Sequence, residues 1–135
     1  MDKITVTTTI NAPVGTVWAA YTDAARIPHW NFATPDWHCP EAEVDLRIGG
    51  RVVSQMAAKD GSLSFAFGAT YTEVTPPHRL AIRMDDGREA VTRFEAMQGR
   101  TTVTTCFDPE TQNPVAMQQM GWQAILENFR RYLER

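Results

Sequence analysis

The carboxyl-terminal residues 113–134 read NPVAMQQMGWQAILENFRRYLE, which is the pattern of one long amphipathic helix. Asn113 is a suitable N-cap, and Pro114 at the first helical position loses no hydrogen bond. At 1.5 Å per residue this helix would be roughly 30 Å long, enough to cross a whole sheet. Apolar residues recur at spacings of three and four, which places these side chains on one face: Trp122, Ile125, Leu126, Phe129 and Leu133.

Residues 41–108 read as strands separated by turn signals. Strands are predicted over 44–48, 51–57, 62–71, 79–85, 89–97 and 100–107, after a first strand over 3–10. Gly49-Gly50 is predicted to join the first two of these six as a tight hairpin. The other turns are predicted at Asp60-Gly61, Asp86-Gly87 and Gln98-Gly99.

Two short helices are predicted after the first strand, over 14–21 and from Thr22-Asp23 to about Trp30, followed by a loop over 31–40. This order predicts an α+β fold with its helices on one face of an antiparallel sheet of about six or seven strands. The sheet is expected to curve around the last helix, with Gly68 as a candidate bend point. Space left between sheet and helix is where function is expected.

Length and charge limit the function classes. The 135 residues form one domain, residues 1–135, and the 43% hydrophobic content can supply its core. The net charge is −3, and no Lys/Arg cluster exceeds Arg130-Arg131, which argues against nucleic acid or an anionic membrane as partner. No apolar run approaches the roughly 18 residues that span a bilayer, and the first residues lack the pattern of a signal peptide. We therefore expect a cytoplasmic protein.

Two cysteines, Cys39 and Cys106, are expected to be free thiols in such a chain. Cys39 lies in the predicted loop and Cys106 in a strand, so Cys39 is expected to react faster with thiol reagents.

Residues spread over nearly the whole chain match the pattern of a known family: Ala12-Pro13, Val17-Trp18, Trp30, 45–50, Asp60-Gly61, Gly68, Tyr71, Glu73-Val74, Pro76, Leu80, Gly121-Trp122 and Leu126. On these residues the chain resembles the START-like superfamily of helix-grip folds, also called SRPBCC, and within it the branch of the C-terminal domain of the Aha activator of the heat-shock-protein ATPase. This resemblance implies a helix-grip fold and a ligand cavity, because superfamily members bind lipids, steroids, polyketides and plant hormones, and some are cyclases. Many relatives carry a second Trp after the position of Trp30, where this chain has Asn31-Phe32, so its cavity mouth is expected to differ.

The candidate site is an apolar pocket between the sheet and the last helix. Gly121 interrupts a bulky helix at a cost of about 1 kcal/mol, either to let Trp122 pack closely or to open the cavity. An ordinary filled core is the alternative to a cavity. The sheet wall is predicted from Phe65, Phe67, Tyr71 and Met84, the helix wall from Met117, Met120, Gly121 and Ile125, and the entrance from Trp30, Phe32, Trp37 and His38.

Chemistry beyond binding has weaker support. His38-Cys39 lies near Asp36 and Glu41, but adjacent residues of an extended segment point apart, and a zinc site needs about four ligands. Arg47 either pairs with Asp45 on the surface or faces the cavity as an anion anchor. The candidates for reactive groups are therefore the cluster of Asp36, His38, Cys39 and Glu41, Arg47 as anion anchor, and Glu73 as an acid or base if it is buried.

We therefore predict binding of a hydrophobic or amphipathic small molecule, without catalytic residues, cofactor or metal, by a monomer or homodimer. The alternatives are a cyclase- or hydrolase-type enzyme that uses His38 or Glu73 with Arg47, and a chaperone-associated interaction module that uses its sheet surface.

Overall fold

A computed structural model describes residues 2–135. Residues 2–135 form seven strands and two α-helices, with one short 3₁₀ helix at Ile27–His29. Of the helices in residues 2–135, none is long and apolar enough to cross a membrane. The elements are β1 Ile4–Ile10, α1 Val14–Thr22, β2 Trp37–Val44, β3 Arg51–Ala58, β4 Ser64–Thr75, β5 Arg79–Met84, β6 Glu89–Met97, β7 Arg100–Phe107 and α2 Val115–Glu134.

The strands form one antiparallel sheet in the order β1-β7-β6-β5-β4-β3-β2. Strands β2 to β7 follow one another as a meander, and β1 closes the far side by pairing with β7. Register shifts interrupt the ladders between His38 and Glu41 in β2 and between Tyr71 and Glu73 in β4. Such bulges bend strands, which suits the curled sheet. The predicted α+β helix-grip architecture is confirmed.

Helix α2 runs beside the free edge of β1. The Gln119 Nε2 donates to the carbonyl of Thr5 at 3.3 Å, and the Gln123 Nε2 donates to the carbonyl of Thr7 at 2.8 Å. Further along, the backbone N–H of Asn11 donates to Glu134 at 2.9 Å. These side chains therefore form hydrogen bonds to backbone groups that would otherwise be unpaired on an edge strand.

An aromatic cluster forms where α1 and α2 pack over β6. Tyr21 contacts Phe94 and Phe129 edge-on, each with ring centroids 5.3 Å apart. Aromatic pairs of this geometry contribute beyond their buried area. Trp18 and Trp30 complete the cluster, and nearby the rings of Phe107 and Trp122 stack at 3.8 Å. We call this side of the molecule, strands β1, β7 and β6 with the helices over them, the filled half.

Two predictions about residues 31–50 are wrong. Strand β2 covers Trp37–Val44, where a loop was expected, and residues 45–50 form a loop rather than a strand and a tight hairpin. Pro40 suggested a loop, but β2 is the outermost strand and its bulge tolerates a residue without an N–H. Gly50 is required for a reason other than a hairpin: a Cβ there would lie 2.0 Å from the Asp45 carbonyl oxygen.

Two helix predictions also need correction. The second short helix is a turn at residues 24–26 followed by the 3₁₀ helix, because Asp23 accepts a hydrogen bond from the Ala25 N–H and Pro28 follows closely. The N-cap of α2 is Pro114 and not Asn113, with no capping side chain. Instead the Gln118 amide donates to the carbonyls of Glu110 and Asn113 at 3.0 and 2.8 Å.

Gly68 lies at a close approach on the outer face of β4. A Cβ there would lie 2.4 Å from a carboxylate oxygen of Asp85 and 2.7 Å from the guanidinium of Arg51. These two side chains form a bidentate ion pair across β4, with distances of 2.6 and 2.9 Å. The absent side chain therefore leaves room for a cross-strand pair between β3 and β5.

Candidate functional site

The inward face of strands β2 to β5 carries no charged side chain. Cross-strand partners share a face, so the register from Ala42 to Met84 identifies the members of this surface. The outward positions beside them include Arg51 and Arg83. We call this surface, together with the side of α2 that looks onto it, the open half. Its strand residues are Trp37, Cys39, Ala42, Val44, Val52, Ser54, Met56, Phe65, Phe67, Ala69, Tyr71, Ile82 and Met84.

Gly121 lies on the side of α2 that faces the open half. Gln123, about 200° further around the helix, bonds to β1 on the opposite side. Asn128 lies about 20° from Gly121 in projection, and its amide donates to the carbonyl of Phe32 at 2.6 Å. A Cβ built on Gly121 meets no atom within 4 Å, so this glycine opens space rather than letting a neighbour pack closely. Within residues 2–135 the α2 backbone lies against β1 and α1 rather than β2–β5.

Apolar side chains mark the rim of the open half. Phe65 is 54% exposed although it belongs to the inward face of β4, and its ring lies 5.8 Å from that of Trp37. On α2, Met117 is exposed on the same side as Gly121, and Ile125 is half-buried one turn further. Exposed apolar side chains are therefore present on both of the elements predicted to form the walls, β4 and α2.

Tyr71 carries a hydroxyl without a protein partner in the depth of this half. The residue is only 4% exposed, yet none of the side-chain hydrogen bonds within residues 2–135 involves its Oη. No fully enclosed oxygen in these residues lacks a partner, so the Tyr71 Oη is reached by solvent. Burial is the main cause that raises the pKa of Tyr71, and the nearby Tyr21 adds to it. The phenol is therefore a neutral hydrogen-bond donor.

The backbone of Tyr71 is held firmly by the loop of residues 45–50. Its N–H donates to the Gly50 carbonyl at 2.9 Å, and its carbonyl accepts from the Gly49 N–H at 2.8 Å. The backbone that carries the phenol is therefore held by the loop that precedes β3, while the phenol oxygen has no partner among residues 2–135.

Four predicted site residues lie elsewhere. Trp30 is buried in the filled half, with its ring 4.7 Å from Phe129. Met120 is 73% exposed and lies nine residues, or about 180°, from Phe129 around the helix. His38 alternates with Trp37 and Cys39, so its side chain lies on the outer face. Arg47 lies in the exposed loop and bonds to Asp45 at 2.9 Å, which is the surface alternative.

The residues named for enzyme chemistry are not brought together. His38 lies opposite Ala57, which pairs with Ser64 at the start of β4, whereas Glu73 lies near the other end of that strand. Nine residues of strand separate the two positions, on the order of 30 Å. Hydrogen bonds from Arg79, at 2.8 Å, and Thr75 lower the pKa of the Glu73 carboxyl, so it is an ionised partner and not a poised acid. No metal-binding group of three or more His, Cys, Asp or Glu is present in residues 2–135.

Sequence reasoning missed eight of the thirteen strand residues of the open half: Cys39, Ala42, Val44, Val52, Ser54, Met56, Ala69 and Ile82. Cys39 was assigned to a loop, but it is buried in β2, and its thiol donates to the Glu41 carbonyl at 3.4 Å. Ser54 and Met56 alternate with outward residues of β3. The spacing of Val52, Ser54 and Met56 in the sequence could have indicated that these three side chains share the inward face. No sequence signal indicated that Asn128 ties α2 to the loop of residues 31–36.

Two open surface depressions lie elsewhere. One, of about 500 Å³, is lined by Asp2, Lys3, Ile4, Thr5, Val115 and Gln119, and one of about 420 Å³ by Asp86, Arg88, Pro109, Glu110, Thr111 and Gln112. Neither is enclosed between sheet and helix, and neither includes a predicted site residue. Ligand binding by the open half therefore stays a prediction.

The fold agrees with comparisons to known proteins. The sequence profile of the family described as activator of Hsp90 ATPase homolog 1-like protein matches residues 11–134. The chain belongs to this family. The predicted resemblance to the START-like superfamily and its Aha branch is thereby confirmed. No match was found among curated proteins.

Solved structures of similar proteins extend over nearly the whole chain. An AHSA1-like protein from Aeromonas hydrophila is 45% identical, with a TM-score of 0.89 over 97% of this chain and 92% of that one. A protein from Cytophaga hutchinsonii is 42% identical, with a TM-score of 0.85 over 98% and 92%. A protein from Chromobacterium violaceum shares the fold at a TM-score of 0.88 over 100% and 99%, with 21% identity.

Proposed function

We propose that the protein binds a hydrophobic or amphipathic small molecule in the open half, between α2 and the inward face of β2–β5. One observation carries the proposal: α2 turns its residue without a side chain, Gly121, toward a wall whose inward positions are all uncharged. Small-molecule sites are typically concave and mostly apolar, with a few polar groups that fix orientation. The exposed Phe65 and Met117 at the rim support the same use, since Met adapts to varied contents.

The proposal is tested by closing the space with Gly121→Leu. The neutral fluorescent probe N-phenyl-naphthylamine is expected to bind wild type at about one site per chain, and the variant on the order of tenfold more weakly. The free energy of unfolding should stay the same or rise, because Leu is favoured over Gly in a helix by about 1 kcal/mol. Probe titration followed by urea denaturation measures both quantities.

Gly15→Leu is the matched control. Gly15 also lies in a helix, α1, and a Cβ there meets no atom within 4 Å, so the substitution gains helix propensity far from the proposed site. Probe binding should not change. Little probe bound by wild type, combined with a clear loss of stability in Gly121→Leu, would contradict the proposal and indicate a filled core.

A chaperone-associated interaction is the second candidate function. The family description names the Hsp90 ATPase activator, and exposed apolar side chains cluster on the first turns of α2, namely Val115, Met117 and Met120. Substituting Met120 by Lys alters this surface without facing the open half. Loss of binding to an Hsp90 chaperone in Met120→Lys, with probe binding intact, would favour this candidate.

A further inference from the structure

We infer that the open half accepts an uncharged, largely apolar molecule that places one hydrogen-bond-accepting oxygen against the hydroxyl of Tyr71. This inference rests on the proposed function and narrows it to a chemical class: ketones, esters, ethers and alcohols rather than carboxylates, sulfonates or phosphates.

The first argument is the free donor. The Tyr71 Oη is the end of a side chain that is more than nine-tenths buried, and it forms no hydrogen bond to residues 2–135. A buried polar group without a partner is costly, and solvent or a ligand atom must satisfy it. A phenol is protonated at neutral pH, and burial raises the pKa of this one further, so it can donate to an oxygen with a lone pair.

The second argument is that the neighbouring polar groups are already engaged. The thiol of Cys39 donates to the Glu41 carbonyl at 3.4 Å and lies beside the Ser54 hydroxyl. The Asn31 amide donates to the sulfur of Met56 at 3.9 Å. Apart from the Ser54 hydroxyl, which lies beside the Cys39 thiol, Tyr71 is therefore the hydroxyl donor that remains for a ligand in this half.

The third argument is the lack of compensating charge. An anion transferred to a face without Lys or Arg would lose its hydration and gain no ion pair, which is strongly unfavourable. Arg47, the anion anchor considered from the sequence, is held on the surface by Asp45. The same reasoning disfavours cations, because no carboxylate occupies an inward position of β2–β5.

A competition series tests the class of ligand. Bound N-phenyl-naphthylamine is displaced from wild type by three molecules of similar size: acetylnaphthalene, isopropylnaphthalene and naphthoate. The ketone is expected to compete about three- to tenfold better than the hydrocarbon, the contribution of one hydrogen bond. The carboxylate should compete worse than both, by roughly tenfold or more.

Tyr71→Phe assigns the effect to one atom. The ketone should lose its advantage over the hydrocarbon in this variant, while the affinity for the hydrocarbon is kept. Tyr21→Phe is the control, since it removes the neighbouring phenol, which lies near Thr92 and Thr105. There the ketone's advantage should persist. Urea denaturation checks that both variants fold, and the wild-type series stands even if one does not.

The possible outcomes distinguish two claims: that the open half binds an apolar molecule, and that this molecule places an acceptor oxygen against Tyr71. Equal competition by ketone and hydrocarbon, an undiminished ketone advantage in Tyr71→Phe, or naphthoate as the best competitor would overturn the class of ligand and leave apolar binding in place. Failure of wild type to bind the probe at all would overturn the proposed function and this inference together.

Discussion

The filled half and the open half are built by the same helix. On one side α2 presents Trp122, whose ring stacks on Phe107, and Phe129, which is fully buried and contacts Tyr21 in the aromatic cluster around Phe94. On the other side, one residue from Trp122, it presents Gly121 with nothing within 4 Å. Stability and the proposed binding are therefore separated around the helix, so substitutions on the two sides should have different consequences.

Phe129→Ala should have the largest effect, a loss of about 3–5 kcal/mol of unfolding free energy. Phe129 is 0% exposed and touches Tyr21 and Trp30, so truncation leaves a cavity that the aromatic cluster cannot close. Total stability of such a domain is ~5–15 kcal/mol, so the variant should be marginal. Urea denaturation at equilibrium measures the loss.

Ile125→Ala is the comparison on the open side. Ile125 is half-buried and borders the proposed ligand space, so its truncation should cost about 1–2 kcal/mol and should alter probe affinity. Equal losses for Phe129→Ala and Ile125→Ala would show that the two halves are packed alike and would remove the distinction on which the proposal depends.

The filled half could be predicted from sequence far better than the open half. The spacing of apolar residues placed Trp122 and Phe129 on one face of α2, because a continuous apolar stripe on a helix of a small domain packs against the core. The turns at Asp60-Gly61, Asp86-Gly87 and Gln98-Gly99 are confirmed, with positive φ at all three glycines. These features depend on local chemistry, which a sequence displays directly.

The open half depends on register, which local chemistry does not determine. Strand β2 was missed because Pro35 and Pro40 are typical of loops. As a result, the sequence predicted a loop at Cys39, which lies in β2, and a strand at Arg47, which lies in a loop. A shift of one residue exchanges the two faces of a strand, so His38 could not be placed inward or outward from sequence. Met120 was assigned to the helix wall for its residue type, although its angle around α2 places it outside.

Thiol reactivity provides a second, smaller contrast between the halves. Cys106, half-buried on β7, should react with a thiol reagent roughly tenfold or more faster than Cys39, the reverse of the expectation from sequence. Cys39 is 3% exposed, and burial raises the pKa of its thiol although the Ser54 hydroxyl and the Asn31 amide lie nearby and act in the opposite direction. Its thiolate therefore becomes abundant only above the ordinary pH range for cysteine.

Single-cysteine variants separate the two rates. Cys39→Ser leaves Cys106 and should keep the fast reaction, whereas Cys106→Ser should leave the slow one, accelerating as pH rises. Both cysteines are free thiols, so no disulfide complicates the measurement. A Cys39 that reacts as fast as Cys106 would mean that the open half unfolds locally more readily than its burial indicates.

The smallest effect is expected from acid at the edge of the filled half. Asp108, just beyond β7, accepts hydrogen bonds from Lys3 and from the Glu89 N–H at 2.9 Å, and these lower the pKa of its carboxyl. A carboxyl whose pKa is lower in the folded protein stabilises it fully above the unfolded value, near 3.8, and ceases to do so as pH falls through the folded value. The urea midpoint of wild type should therefore decline below about pH 4.

Lys3→Met should flatten that decline, because it removes the main cause of the lowered pKa of Asp108. Lys59→Met is the control and should leave the decline unchanged, since Lys59 forms no ion pair within residues 2–135. A decline of the same steepness in both variants would place the acid-sensitive group elsewhere, with Glu73 beside Arg79 as the next candidate.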